Sequence, residues 1–182
     1  MNHTRQRISG YEPGGGSASA DQALAGIARM FAGRIPNYHK VLANSPQVVS
    51  AFEAMRRILQ KTRLRAVERE IVALEVSRRS QCEYCTAAHS AFMRKFRVSE
   101  ANIEALLGGR PMSNPRHALV QEAAGRLYDC QGRLSDDELE SFHRRGLSDV
   151  ELIEVIAVIG WYVISTFTNN LARTRVDDFW SA

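Results

Sequence analysis

Helix signals follow one another along almost the whole sequence, and they constrain the possible folds more than any other feature. After Pro46, apolar residues recur at the 3.6-residue period of an amphipathic helix. Two capping boxes, Ser135-x-x-Glu138 and Ser148-x-x-Glu151, mark two further helix starts. Strand-like alternation is almost absent, so the sequence predicts a single all-α domain. We predict helices over residues 21–31, 46–61, 66–78, 82–96, 99–107 and 115–130, one after each capping box, and a short or irregular one between 34 and 45.

The last predicted helix is apolar nearly all round, from Leu152 to Phe167. Because such a helix is buried on several sides, we expect it to lie centrally and also to form a subunit interface. Its longest apolar run, residues 155–167, is too short to cross a bilayer and is flanked by polar and charged residues. The sequence therefore predicts a homo-oligomer that assembles through apolar helices and does not enter a membrane.

The composition is that of an ordinary soluble protein with enough apolar residues for one core: 182 residues, of which 45% are hydrophobic and 24% charged. The formal net charge is +4, and the arginines are interspersed with acidic residues, which indicates a solvated surface and not a nucleic-acid interface. The glycine-rich stretch at residues 14–17 predicts a flexible N-terminal segment over residues 1–20, ahead of a helical domain over 21–182. No signal-peptide pattern follows Arg5 and Arg7, so we expect a cytoplasmic protein.

One cluster of residues carries chemistry: Glu70, then the motif Cys82-Glu83-Tyr84-Cys85, then His89. On a helix, Cys82, Cys85 and His89 would share one face, since they are spaced by three and four residues. A thiol reacts as its thiolate, and a free cysteine, with a pKa near ~8.5, is mostly protonated at neutral pH. His89 can accept that proton, and Glu70, from the preceding helix, can orient the imidazole.

Several readings of these cysteines stay open from the residues alone. The helix start would activate Cys82, whereas the proximity of His89 favours Cys85. Zinc is an alternative, because Cys82, Cys85 and His89 are three of the four ligands that a structural zinc site prefers. Cys130 has no partner in the sequence and is interpreted as a buried structural residue. In a reducing cytosol, a Cys-x-x-Cys pair is more often catalytic or metal-bound than a permanent disulfide.

The cluster resembles the core signature of the alkylhydroperoxidase D (AhpD) and carboxymuconolactone decarboxylase superfamily. The similarity begins at the run Arg69-Glu70-Ile71-Val72-Ala73-Leu74-Glu75-Val76-Ser77 and continues through the two cysteines to His89. The segments at residues 35–37, 42–46 and 167–170 are similar to flanking elements of the peroxidase-related branch. The resemblance therefore covers nearly all of residues 5–180.

The resemblance implies an AhpD-like all-helical fold, assembled as a trimer or hexamer, and a thiol peroxidase that needs no metal or flavin. By the family motif, Cys85 is the peroxidatic thiol, Cys82 the resolving thiol, His89 the base and Glu70 the relay carboxylate. The founding enzymes carry a histidine where this chain has Tyr84, whose phenol, with a pKa near ~10, does not relay protons at neutral pH as an imidazole does.

The implied substrates are organic hydroperoxides or hydrogen peroxide. The implied electron donor is a dithiol, for example one on a lipoyl-bearing protein. A redox sensor or thiol-disulfide exchange protein without efficient turnover remains an alternative. A decarboxylase acting on a lactone acid is disfavoured, since that branch of the superfamily lacks the Cys-x-x-Cys pair.

Overall fold

The computed structural model describes residues 5–180, which contain nine α-helices, a final 3-10 turn at Asp178–Trp180 and no β-strand. The all-α prediction is confirmed, and most predicted helix ends agree with the structure within two residues. The helices are α1 (Ala18–Met30), α2 (Asn37–Leu42), α3 (Pro46–Leu59), α4 (Ala66–Arg79), α5 (Glu83–Lys95), α6 (Glu100–Leu107), α7 (Pro115–Cys130), α8 (Asp136–Arg144) and α9 (Asp149–Ala172).

Helix α4 lies at the centre of the fold. Every residue from 71 to 77 is buried, so that all sides of the helix face other parts of the protein. Helices α5, α6, α7 and α9 pack around it. The sequence predicted a central position for the last helix. Helix α9 packs against α2, α3, α4, α5 and α7, but unlike α4 it also has an exposed side.

Polar side chains set the helix starts as the sequence indicated. Both predicted capping boxes are formed, at Ser135 and at Ser148. Helix α1 begins at Ala18, three residues before the predicted start, because the Ser17 hydroxyl accepts a hydrogen bond from the Ala20 N–H and caps the helix there. These caps fix the helix ends with local interactions, which is why sequence patterns could place them.

The segment ahead of α1 has specific partners. The Arg7 N–H donates to the carbonyl of Ala172 at 2.7 Å, and the Tyr11 hydroxyl donates to the carboxylate of Asp21 at 3.0 Å. The flexibility of residues 1–20 stays a prediction, and residues 1–4 lie outside the described part of the chain.

Helix α9 carries an exposed apolar stripe along one side. Ile153 and Leu171, near its two ends, have 65% and 63% of their surface exposed, and Ile156, Ile164 and Phe167 lie between them. By length and composition, α9 is also the one helix in residues 5–180 that could cross a membrane. Its other side packs in the core against α4 and α7, as core helices of soluble proteins do. The stripe is the largest apolar feature that this fold leaves uncovered on one helix.

A buried carboxylate ties three helix starts together. Glu68, in the first turn of α4, is 1% exposed, and its carboxylate accepts hydrogen bonds from the side chains of Arg65 and Arg116. Arg116, in α7, also donates to Glu151 at 2.6 Å, in the first turn of α9. Burial opposes ionisation of Glu68, but the two arginines outweigh it and lower the pKa of the carboxyl. The cluster therefore joins the starts of α4, α7 and α9.

We predict that Arg116→Ala destabilises the fold by about 3 kcal/mol, because it leaves a buried carboxylate with only one cationic partner. Urea denaturation of the reduced protein measures the change. The control is Arg144→Ala, which removes an exposed i,i+4 pair with Glu140 and should cost less than about 0.5 kcal/mol. Equal effects of the two substitutions would contradict the role given to the buried cluster.

Candidate active site

A short turn brings the two cysteines to the start of α5. Gln81 adopts a left-handed backbone conformation with φ of 50°, and the chain reverses there from α4 into α5. Cys82 is the N-cap of α5, and its Sγ accepts a hydrogen bond from the Cys85 N–H at 3.3 Å. The prediction that both cysteines lie in the first helical turn is therefore right for Cys85 and wrong for Cys82. Cys82 has the extended backbone of a capping residue, which leaves its sulfur facing the free N–H groups of the turn.

The Cys85 sulfur is surrounded by hydrogen-bond donors from α9. The Asn169 side-chain amide donates to Sγ at 3.2 Å, and the Ser165 hydroxyl lies 3.5 Å from it. These two residues are four apart, so both project from the same side of α9. Cys85 itself is only 2% exposed. The arrangement can stabilise a negative charge on sulfur inside the protein.

Glu70 and His89 form a close pair between α4 and α5. The His89 Nδ1 and a Glu70 carboxylate oxygen lie 2.7 Å apart, and both side chains are largely buried. Burial alone would lower the pKa of His89, but the charge and hydrogen bond of Glu70 outweigh it and raise that pKa. Because Nδ1 is engaged by Glu70, Nε2 is the ring nitrogen left for proton exchange. Glu75 faces away from this pair and binds Arg78 and Arg79.

The two thiols differ strongly in acidity. Burial raises the pKa of Cys85, but the Cys82 thiol, the charge of His89, Ser165 and Asn169 together lower it to about 7. The pKa of Cys82 is raised well above its ordinary value, chiefly by its interaction with Cys85 and by burial. Of the two alternatives that the sequence left open, this electrostatic difference favours Cys85 as the thiolate.

Tyr84, between the two cysteines, is tied to the C-terminal segment. Its hydroxyl donates to Asp177 at 2.6 Å and accepts from the Trp180 indole N–H at 3.4 Å. Burial and the Asp177 carboxylate raise the pKa of the phenol far above neutrality. Tyr84 therefore anchors residues 177–180 against the start of α5 and is unsuited to relaying protons.

A cavity of about 370 Å³ opens beside Cys85 and His89. Seven aromatic or imidazole side chains in its wall contact one another in a closed circle, and the centroids of neighbouring rings lie 4.5 to 6.5 Å apart. We call this space the aromatic cavity. In order around this circle, the residues are His89, Tyr162, Trp161, Phe52, His39, Phe31 and Phe92.

The aromatic cavity also holds buried polar atoms that have no hydrogen-bond partner within the described residues. They are the Tyr38 hydroxyl, His39 Nδ1, Trp161 Nε1 and the Asn169 side-chain oxygen. Buried polar groups are costly when unpaired, so this set indicates a space that binds a ligand or water with hydrogen-bonding groups. The apolar rings and the few polar atoms together are typical of a pocket for a small organic molecule.

The structure brings together Glu70, His89, Cys85 and Cys82, as the sequence predicted. It places Tyr84 next to them but directs its hydroxyl toward Asp177. Sequence reasoning missed Ser165, Asn169 and Asp177 as site residues, although the segment at residues 167–170 had marked the resemblance. Within residues 5–180, no group of three or more His, Cys, Asp or Glu side chains is arranged to hold a metal ion. Cys130 is buried at the end of α7 and unpaired.

Comparisons with known proteins agree with this architecture. Residues 46–112, which span α3 to α6, match the model of the Carboxymuconolactone decarboxylase family. No curated protein matches the sequence significantly. An uncharacterized peroxidase-related protein from Ralstonia eutropha JMP134, described as an alkylhydroperoxidase AhpD core, is 22% identical with a TM-score of 0.84, over 97% of this chain and 96% of that one.

Two further solved structures are similar over nearly their whole length. A peroxidase-related protein from Silicibacter sp. TM1040 is 20% identical with a TM-score of 0.78, over 97% of this chain and 96% of that one. A variant of the debrominase Bmp8 in complex with 2,3,4-tribromopyrrole is 13% identical with a TM-score of 0.77, over 98% of this chain and 95% of that one. The family model matches the segment that carries the cysteines, and the solved structures share the AhpD-like fold over nearly the whole chain.

Proposed function

We propose that this protein is a thiol peroxidase that reduces organic hydroperoxides through a Cys82–Cys85 disulfide cycle. The observation that carries the proposal is the convergence on one sulfur: Cys85 has a lowered pKa, donors on one side and the Glu70–His89 pair nearby. Perturbed thiols beside a base and a cavity are what a nucleophilic site requires. The family match over residues 46–112 is consistent with an enzyme, and the peroxidase activity is our inference.

The reaction uses two thiols and two electrons. The Cys85 thiolate attacks the terminal oxygen of the hydroperoxide, the O–O bond breaks, and the leaving alkoxide takes a proton from the His89 imidazolium to give the alcohol. Cys85 is now a sulfenic acid. The Cys82 thiol attacks that sulfur, water leaves, and a disulfide forms. Asn169 and Ser165 hold the thiolate before the attack, and Glu70 keeps His89 protonated and oriented.

The aromatic cavity favours an organic substrate over hydrogen peroxide. Its volume of about 370 Å³ would hold roughly a dozen water molecules at ~30 Å³ each, far more than hydrogen peroxide fills. Aromatic walls bind an apolar or flat substituent, while Trp161 and Tyr38 offer free donors to a polar group on it. We also infer that the protein works in the cytoplasm, where dithiol donors are maintained.

The direct test is turnover of cumene hydroperoxide by the reduced, metal-free protein with dithiothreitol as donor, followed as cumyl alcohol formed. We expect turnover to be lost in Cys85→Ser and in Cys82→Ser. The control is Cys130→Ala, which alters a buried thiol outside the site and should keep turnover within about twofold. Alcohol formation by wild type no faster than with free cysteine would contradict the peroxidase proposal and leave the redox-sensor alternative.

The pH dependence tests the proton relay. Since the pKa of Cys85 is about 7, the single-turnover rate of its oxidation should rise about tenfold per pH unit below 7 and level off above it. In Glu70→Gln, His89 loses the carboxylate charge that does most to raise its pKa, while burial still lowers it, so less of the imidazolium that stabilises the thiolate remains. The midpoint then moves to higher pH, and the rate at pH 7 falls about tenfold or more.

The matched control for this prediction is Glu104→Gln, an exposed carboxylate on α6, which should leave the profile unchanged. Stopped-flow tryptophan fluorescence can follow the reaction, because Trp161 and Trp180 line the aromatic cavity. A Glu70→Gln profile identical to that of wild type would remove Glu70 from the relay.

A second candidate function is reductive debromination of a small aromatic compound, which the aromatic side chains around the cavity favour. A debrominase has the same fold. Oxidation of the Cys82 and Cys85 thiols to a disulfide would supply two electrons. With these electrons and a proton, one carbon–bromine bond of the ring becomes a carbon–hydrogen bond and bromide leaves. Bromide released from 2,3,4-tribromopyrrole, with no alcohol formed from cumene hydroperoxide, would favour this function over the peroxidase.

We further propose that copies of the chain assemble through the exposed stripe of α9, as a trimer or hexamer. An exposed apolar stripe of this length on a soluble protein marks an interaction site. Light scattering should give a multiple of the mass of one chain, and Ile153→Lys combined with Leu171→Lys should reduce it. The control is Ile58→Lys, an equally exposed residue on α3. A wild-type protein with the mass of one chain would contradict the proposal.

A further inference from the structure

A second histidine–glutamate pair lies in the wall of the aromatic cavity. His39 Nε2 and a carboxylate oxygen of Glu53 are 3.4 Å apart, and both side chains are buried. Arg56 donates to the other oxygen of Glu53 at 2.8 Å. Burial opposes ionisation of Glu53, but His39 and Arg56 outweigh it and lower the pKa of the carboxyl. The reaction proposed above gives this pair no part, although it lines the same cavity as Cys85.

The pair lies across the cavity from the reactive groups. In the circle of side chains around the cavity, two rings separate His39 from His89 in one direction and three rings separate them in the other. Tyr38 packs beside His39, with ring centroids 4.8 Å apart. Burial, and then the negative charges of Cys85 and Glu53, raise the pKa of the Tyr38 phenol well above its ordinary value. Tyr38 therefore keeps its proton and lies within reach of both ends of the cavity.

The polar atoms at this end require both a donor and an acceptor from a ligand. Because the Glu53 carboxylate lies beside Nε2 of His39, it favours the proton on that nitrogen, which leaves Nδ1 as an acceptor. Trp161 Nε1 is a donor only, and the Tyr38 hydroxyl can be either. All three atoms are buried without a partner in the described part of the chain. They lie close together, because Phe52 packs against the rings of all three residues at 5.0 to 6.5 Å.

We propose that Tyr38, His39 and Trp161 form a hydroxyl site, which binds a hydroxyl group of the substrate. The hydroxyl donates to His39 Nδ1 and accepts from the indole N–H of Trp161. A hydroxyl supplies both functions on one atom, whereas an ether or a halogen lacks the donor and an ammonium group lacks the acceptor. This inference rests on the peroxidase function proposed above. It narrows the substrates to aromatic hydroperoxides that carry a hydroxyl group at the end remote from the peroxide.

A hydroxyl bound at this site orients the whole substrate. Its flat ring lies between the aromatic walls, and its peroxide group is directed toward Cys85 and His89 at the other end of the cavity. A ligand without the hydroxyl leaves buried polar groups of the site unpaired, and such sites reject the analogue that lacks the group they bind. The same hydrogen bonds are made before and during the reaction, so they strengthen binding without speeding the chemical step. The effect of the hydroxyl should therefore appear in KM.

The first test measures binding without any reaction. 4-Isopropylphenol and 1-fluoro-4-isopropylbenzene have nearly the same shape, but only the phenol has a hydroxyl. In a purely apolar cavity the fluorinated compound would bind more tightly, because the phenol loses its hydration. By calorimetry on reduced wild type, we expect the phenol to bind about tenfold more tightly. Equal or weaker binding of the phenol to wild type would overturn the proposal, and this comparison needs no substitution.

Two variants assign the preference to the hydroxyl site. We expect Trp161→Phe, which keeps an aromatic ring, and His39→Leu each to reduce the preference for the phenol to within about threefold. The control is His143→Leu, which removes an exposed imidazole that contacts Asp149 at 2.7 Å and should leave both affinities unchanged. An undiminished preference in both site variants would overturn the assignment of these residues.

The second test is turnover of cumene hydroperoxide and of its para-hydroxylated form, 4-(2-hydroperoxypropan-2-yl)phenol. We expect the hydroxylated peroxide to have a KM about tenfold lower, with kcat within about threefold. Equal KM values would overturn the proposed substrate class. Absence of turnover with both peroxides, together with preferred binding of the phenol, would refute the peroxidase function and support the hydroxyl site.

Discussion

The burial of α4 on all sides is the constraint on which the rest of the structure depends. Residues 71–77 fill the centre of the fold, so α4 cannot rotate without exposing apolar side chains or forcing them into its neighbours. Glu70 lies at the edge of this buried stretch, and the turn at Gln81 brings α5 back against α4. As a result, the carboxylate meets His89 at 2.7 Å with little freedom to move away. The Glu70–His89 pair is thus held by the core of the protein.

Two chemically identical side chains acquire different properties from their surroundings. Cys82 caps α5 and has a raised pKa, whereas Cys85, three residues on, is stabilised as a thiolate by groups from α5 and α9. Burial alone would have raised both pKa values. The difference comes from the interaction between the two thiols, from His89 and from the donors that α9 supplies.

Local signals predicted much of this molecule. The capping boxes at Ser135 and Ser148, and the spacing of Cys82, Cys85 and His89, each depend on residues within a few positions of one another. Ser165 and Asn169 could not be found in this way, since they are small polar residues on an apolar helix about 80 positions from the thiol that they contact. Their role depends on how α9 crosses α5, which no short pattern encodes. The same reason explains why the sequence did not show that α4 is buried on all sides.

The central claim is that Cys85 is the sulfur that attacks the substrate, and trapping its first oxidised form tests this most directly. In Cys82→Ser the sulfenic acid cannot be resolved, so brief treatment with one equivalent of cumene hydroperoxide in the presence of dimedone should label Cys85. We predict rapid dimedone labelling at Cys85 and none at Cys130. Labelling no faster than that of free cysteine, or a Cys85→Ser variant that forms the adduct at Cys82 at the same rate, would contradict the assignment of Cys85.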